Sequence, residues 1–185
     1  MRRVSAQAGF IGAVVWSLAG ACQDTDVHAC GHSWDVNAGV VYCSGGKVEL
    51  TDLARMPNLQ RLSLVDAELR LDGGVLKKVD ELVIGNPHFD VEGLCLGVPE
   101  PKSLILDQSP LPACWTGPHS GVRFLSIARG RPPSVDELRA MPALRTLALD
   151  SLDCPVPGCE DTIAKAVLAG RSGLRVRAND TWYPM

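Results

Sequence analysis

The chain has 185 residues, of which 46% are hydrophobic and 21% are charged, a balance typical of one globular domain rather than a disordered chain. Its 18 basic and 21 acidic residues give a formal net charge of −3, and no run of lysine or arginine occurs. We therefore set nucleic acid aside as a partner.

The first 21 residues have the order of a secretory signal peptide. Arg2 and Arg3 precede an apolar run over residues 10–18, and small residues follow it up to Ala21. The run is shorter than the roughly 20 residues that a membrane-spanning helix needs. We predict export with removal of residues 1–21; the alternative is a buried terminal helix.

The residues before Cys22 resemble the lipobox of bacterial lipoproteins, in which that cysteine carries a diacylglyceryl thioether and an N-acyl chain. The family prefers leucine three residues before the cysteine, whereas Ala19 stands there and Leu18 lies one position earlier. The chain has seven cysteines, and assigning Cys22 to lipid leaves an even number. We predict a lipoprotein of the bacterial cell envelope, at the outer membrane or cell surface and attached to the membrane through lipid on Cys22. Simple secretion is the alternative.

The other six cysteines are expected to form three disulfides, because an exported chain folds in an oxidising compartment. We predict pairing in sequence order: Cys30 with Cys43, Cys95 with Cys114, and Cys154 with Cys159. A zinc site is the alternative for the first pair, since His28, Cys30 and His32 lie within five residues and Cys43 could be a fourth ligand. Structural zinc usually shows two paired ligand spacings, which are missing here.

A repeated pattern organises the rest of the chain. The segment LARMPNLQRLSL at residues 53–64 recurs as LRAMPALRTLAL at residues 138–149. Pairs of aliphatic residues separated by one residue step through this region at intervals of 20 to 22 residues: Leu62/Leu64, Leu82/Ile84, Leu104/Leu106, Leu125/Ile127 and Leu147/Leu149. Alternation puts both aliphatic residues on one face of a strand, and a constant step brings the next strand alongside in parallel.

This pattern resembles that of leucine-rich repeat proteins, L-x-x-L-x-L-x-x-N/C-x-L with a period of about 20 to 29 residues. The resemblance implies an α/β solenoid, a short curved array with a parallel sheet of one strand per coil and mostly loops and short helices on the convex side. It adds Val41/Cys43 and Leu174/Val176 as the first and last strand pairs and implies an N-terminal cysteine cap. The position that usually holds Asn or Cys fits only at Asn179. The alternative is an ordinary α/β domain with βαβ units.

Two segments are predicted to be helices. Residues 134–141 begin with a capping box of Ser134 and Glu137, and residues 159–169 stop before Gly170. We divide the chain into a signal peptide (1–21), a tether with the start of the cysteine cap (22–37), the repeat coils (38–158), and a capping helix with the last strand and tail (159–185).

The predicted function is protein or peptide binding without catalysis. Residues that alternate with the strand leucines would face the concave side, where Val83, Ile105 and Phe124 would form an apolar strip flanked by charges. The proposed binding face comprises Tyr42, Arg61, Val83, Ile105, Asp107 and Phe124. Catalytic motifs such as G-x-S-x-G and H-E-x-x-H are missing, and we predict no cofactor. The alternatives are a face covered by the protein's own loops, a structural spacer of the envelope, and a secreted hydrolase.

Overall fold

The computed structural model describes residues 25–183. The predicted signal peptide and the lipid site Cys22 lie outside the described residues. The strands of the described part are β1 (Asp26–Ala29), β2 (His32–Asp35), β3 (Val40–Ser44), β4 (Lys47–Glu49), β5 (Arg61–Val65), β6 (Glu68–Arg70), β7 (Glu81–Gly85), β8 (Ser103–Asp107), β9 (Phe124–Ala128), β10 (Thr146–Asp150), β11 (Arg175–Ala178) and β12 (Thr181–Tyr183). The helices are α1 (Leu50–Ala54), α2 (Val91–Gly97), α3 (Val135–Arg139) and α4 (Cys159–Leu168), with a 3₁₀ turn at Ala113–Trp115.

The main sheet has eight strands in the order β12-β11-β10-β9-β8-β7-β5-β3. Neighbouring strands from β3 to β11 run parallel, and the repeated leucines lie directly opposite one another. Leu62, Leu82, Leu104, Leu125 and Leu147 therefore form one row across five strands. The register predicted for these five strands is confirmed.

The predicted fold class, an α/β solenoid with a parallel sheet of one strand per coil, is wrong. The main sheet is mixed, because β12 runs antiparallel to β11, and β1 and β2 form a separate antiparallel pair. A third sheet pairs β4 with β6 in parallel, so two units of the pattern contain two strands each. The described chain is a mixed α/β fold built on three sheets.

Two tight turns cause the antiparallel pairings. Asn179 and Asp180 have φ values of 43° and 66°, and Cys30 and Gly31 have φ values of 59° and 76°. Two successive residues with positive φ form the turn that connects antiparallel strands most directly. The last predicted strand pair, Leu174/Val176, is also wrong, since Val176 and Ala178 are the residues opposite Leu147 and Leu149.

A hydrophobic core lies on one side of the main sheet. The inward strand residues form two rows in which every member is at most 2% exposed: Val41, Leu62, Leu82, Leu104, Leu125, Leu147 and Val176 in one, and Cys43, Leu64, Ile84, Leu106, Ile127, Leu149 and Ala178 in the other. Each of the four helices contributes to the same core, through Leu53 in α1, Leu94 in α2, Leu138 in α3 and Val167 in α4. Full burial of a leucine side chain contributes about 1.5–3 kcal/mol.

Both predicted helices are present. The helix α3 begins with the predicted capping box, in which the Ser134 hydroxyl accepts from the Glu137 amide at 3.1 Å and the Glu137 carboxylate accepts from the Ser134 amide at 2.7 Å. These bonds satisfy two amides that the helix itself leaves free. The helix α4 spans Cys159–Leu168, one residue shorter than predicted.

Three disulfides form in the predicted sequence order. Cys30–Cys43, Cys95–Cys114 and Cys154–Cys159 have Cα–Cα distances of 5.3, 6.1 and 6.0 Å. Disulfides persist in oxidising compartments, so they indicate an extracellular or otherwise exported location. No helix within residues 25–183 is long and apolar enough to span a membrane.

Candidate functional site

We call the side of the main sheet that is turned away from the core the outer face. It carries the residues that alternate with the inward rows, since successive side chains of a strand point to opposite faces. One outer row is Val40, Arg61, Glu81, Ser103, Phe124, Thr146 and Arg175, and the next is Tyr42, Ser63, Val83, Ile105, Ser126, Ala148 and Arg177. A third row contains Asp107 and Asp150. The outer face therefore holds all six residues of the predicted binding face.

The middle of the outer face has an apolar centre, which we define as Val83, Ile105 and Phe124. Val83 lies directly opposite Ile105 on the neighbouring strand. Phe124 lies opposite Ser103, two residues before Ile105, so its ring is a diagonal neighbour of Ile105. All three are half-buried, whereas the sequence predicted an exposed strip.

Ion pairs between neighbouring strands flank the apolar centre. Arg61 donates to Glu81 at 2.6 Å and, more weakly, to the Tyr42 hydroxyl at 3.4 Å. The hydrogen bond to Glu81, followed by that to Tyr42, raises the pKa of Arg61 above its ordinary value. On the other side of the apolar centre, the guanidinium of Arg129 donates hydrogen bonds to both carboxylate oxygens of Asp107. Such two-point pairs fix orientation as well as charge.

A polar rim runs along the ends of the parallel strands. It consists of the residue that follows each strand of the main sheet from β5 to β11: Asp66, Asn86, Gln108, Arg129, Ser151 and Asn179. All six have φ between 42° and 51°, and all six are exposed. Asn86 donates to Asp66 at 2.7 Å, and Asn179 accepts from the Ser151 amide at 3.0 Å. The outer face thus has an apolar middle and a polar border at the carboxyl ends of its strands.

Aromatic residues stand at both ends of the outer face. Tyr42 is 53% exposed on the edge strand β3, where with His32, Ser33 and Trp34 it lines an open cavity of about 380 Å³. At the opposite end, the guanidinium carbon of Arg175 lies 4.8 Å from the ring centre of Trp182. Tyr42 lies four strands away from Phe124, and the strands that carry Arg61, Val83 and Ile105 lie between them.

Sequence reasoning missed both tryptophans. Trp182 reaches the outer face because it pairs with Arg177 across the β11–β12 hairpin, and the dipeptide Asn179-Asp180 was the available signal for that turn. Trp34 and Tyr42 line the same cavity although β2 and β3 belong to different sheets. No local sequence pattern indicates that they lie close together.

The alternative zinc site at the first cysteine pair is overturned. Cys30 and Cys43 share a disulfide, so neither offers a thiolate. His28 instead contacts the Ser33 hydroxyl at 3.0 Å. Two other groups of possible ligands occur among residues 25–183, Glu92 with Cys95 and Cys114, and Glu160 with Cys154 and Cys159, and each contains both cysteines of a disulfide.

Comparison with known proteins gives no assignment for these surfaces. No protein-family model matches the chain, and no curated protein is significantly similar to it. The resemblance to leucine-rich repeat proteins and to lipoproteins remains a prediction from the sequence.

Proposed function

We propose that this is a non-catalytic binding protein of the cell envelope, held to a membrane by lipid on Cys22, which recognises a protein or peptide on its outer face. The observation that carries the proposal is the apolar centre with its flanking ion pairs. Protein interfaces commonly combine an apolar middle, where water is excluded, with a polar border that tolerates solvent.

The charges of the outer face suit binding better than catalysis. Arg61 is paired with Glu81, Arg129 with Asp107, and Arg177 with Asp150 at 2.6 Å. Each of these carboxylates is already engaged by a guanidinium of the neighbouring strand, which fixes the orientation of both side chains. These pairs can order the surface that a partner contacts.

The test is a binding measurement with matched variants. The mature protein, immobilised at its C-terminus, captures a partner from envelope proteins of the source cell, and the purified partner is then titrated against each variant. We expect the double variant Ile105→Glu and Phe124→Glu to raise Kd by at least about tenfold, because charge replaces the apolar centre. The control is Leu96→Glu, since Leu96 is 84% exposed on α2, away from the outer face. Equal Kd for the double variant and the control would contradict the proposal.

A structural spacer is the second candidate. The ion pairs that join neighbouring strands of the outer face, such as Arg61 with Glu81, already satisfy one another without a partner. Under this alternative no envelope protein binds, and the double variant lowers stability alone.

The lipid anchor is tested separately. Because Cys22 lies outside the described residues, its support is the order of the N-terminal sequence and the pairing of the other six cysteines in disulfides. Mass spectrometry of the N-terminal peptide from native membranes should show a Cys22 that carries acyl chains. A free Cys22 thiol, or a chain cut elsewhere, rules the anchor out.

A further inference from the structure

The disulfide Cys154–Cys159 differs in its surroundings from the other two. It closes the shortest loop, with a sequence separation of 5 against 13 and 19. The four residues between its cysteines are exposed, and Val156 among them is 63% exposed. Both of its cysteines are half-buried, whereas Cys95–Cys114 joins a buried Cys95 to an exposed Cys114.

The helix α4 places Cys159 at its N-terminus, and a carboxylate oxygen of Glu160 lies within 4.8 Å of both sulfurs of this disulfide. Cys159 is the first residue of this ten-residue helix. Gly158 precedes it with a φ of 77° and has no side chain that could cap the helix. Free amides at a helix N-terminus carry partial positive charge, which lowers the pKa of a cysteine there and makes it a better leaving group.

The disulfide Cys95–Cys114 lies at the opposite end of its helix. Cys95 is in the last turn of α2, with its sulfur 3.8 Å from the carbonyl oxygen of Val91. A thiolate facing carbonyl oxygens is disfavoured. The third disulfide, Cys30–Cys43, is buried, with residues 7% and 2% exposed.

A second tether keeps the loop closed when the sulfurs separate. The buried carboxylate of Glu160, which is 6% exposed, accepts a hydrogen bond from the Leu152 amide at 2.9 Å. Glu160 therefore holds the first turn of α4 against the end of β10 independently of the disulfide. Pro155 and Pro157 also restrict the loop, because each fixes its own φ. The opened cysteines would stay close enough to re-form their bond.

From these contrasts we propose that Cys154–Cys159 is a site of reversible thiol–disulfide exchange that takes electrons from a dithiol. A thiolate of the dithiol attacks the Cys154 sulfur, which breaks the protein disulfide, forms a mixed disulfide and releases Cys159 as the thiolate. The second thiol of the reagent then attacks its own mixed-disulfide sulfur and releases Cys154. The dithiol is oxidised by two electrons to a cyclic disulfide, and its two protons end on Cys154 and Cys159. This inference does not depend on the proposed binding function.

The test compares the three disulfides within one folded molecule. The native protein is equilibrated with increasing dithiothreitol, free thiols are blocked with iodoacetamide, and the remaining disulfides are reduced after unfolding and labelled with N-ethylmaleimide. Mass spectrometry then gives the opened fraction at each cysteine, and circular dichroism reports the fold. We expect Cys154–Cys159 to open at a dithiothreitol concentration about tenfold lower than Cys95–Cys114, with the fold intact.

A second arm replaces dithiothreitol with a small protein that carries a reduced Cys-x-x-Cys pair. Opening of Cys154–Cys159 by this protein at a lower dithiol concentration than dithiothreitol assigns the electrons to a protein donor, and the reverse order assigns them to a small dithiol. The proposal is overturned if Cys95–Cys114 opens first or together with Cys154–Cys159, or if all three open only as the fold is lost.

Discussion

The two ends of the main sheet close the same hydrophobic core with different chemistry. At the N-terminal end, the β1–β2 hairpin adds Val27 and Ala29 to the core, and the buried Cys30–Cys43 disulfide joins it to β3. At the C-terminal end, α4 adds Val167, and β12 extends the sheet by pairing with β11. One end depends on a covalent bond inside the core and the other on backbone pairing.

Hydrogen bonds hold the C-terminal end to the core, as the disulfide holds the N-terminal end. Arg171, just after α4, donates to the backbone carbonyls of Leu138, Met141 and Leu144. Burial lowers the pKa of Arg171 below its ordinary value, because removing a guanidinium from water disfavours its charged form. Polar groups therefore hold the C-terminal end, whereas the N-terminal end is held by a disulfide in an apolar environment.

The largest expected effect comes from removing the buried disulfide. The double variant Cys30→Ala and Cys43→Ala should lower the free energy of unfolding by about 3–5 kcal/mol, because it frees the hairpin and leaves space in the core. The matched control is Cys154→Ala with Cys159→Ala, which opens a short surface loop and should cost only about 2 kcal/mol. Urea unfolding of both gives the comparison. Equal losses would mean that the two ends do not differ in this way.

The next effect concerns the polar anchor of the C-terminal end. Arg171→Met keeps an apolar stem but leaves three carbonyls without their donor, so we expect a loss of about 1–3 kcal/mol. Arg175→Met is the control, because Arg175 is exposed and its main contact is with the ring of Trp182. Thermal unfolding should separate the two variants. A loss at Arg175 that matches the loss at Arg171 contradicts the anchoring role.

The smallest effect tests a helix cap near the N-terminal end. Asp72 accepts from the Thr51 amide at 2.9 Å and from the Thr51 hydroxyl at 2.5 Å, in the first turn of α1, which packs against β1. The hydroxyl bond holds the pKa of Asp72 below its ordinary value. A lowered folded-state pKa adds stability above the unfolded pKa, and this stability is lost as pH falls through the folded pKa.

The variant Asp72→Asn should therefore melt slightly below the wild type at neutral pH and at the same temperature in strong acid. Melting curves across the acid range measure the difference. A gap that stays constant down to the lowest pH would show that the carboxylate charge is not its source.

The sequence predicted the middle of the main sheet well because burial there follows a simple alternation. Leu104 and Leu106, for example, are fully buried at the spacing that the pattern indicated. The pattern failed where a buried apolar residue lies outside a strand. Leu174 is fully buried but precedes β11, so counting apolar residues displaced the last strand by two positions.

The candidate site was less predictable than the core. The direction of Ile105 and Phe124 follows from alternation, but their half-buried state depends on neighbours in other strands. Trp34 approaches Tyr42 only through packing of the N-terminal hairpin. Asn179 was read as a position of the repeat pattern, whereas it forms the turn that reverses the chain into β12.

In the polar rim, one backbone conformation is compatible with very different side chains. Left-handed φ costs an ordinary residue roughly 1–2 kcal/mol, yet residues as different as Gln108, Arg129 and Ser151 accept it at equivalent places. Since these residues are exposed, selection can change their charge or length without altering the path of the chain. The border of the outer face is therefore the part of this protein where recognition could diversify at little structural risk.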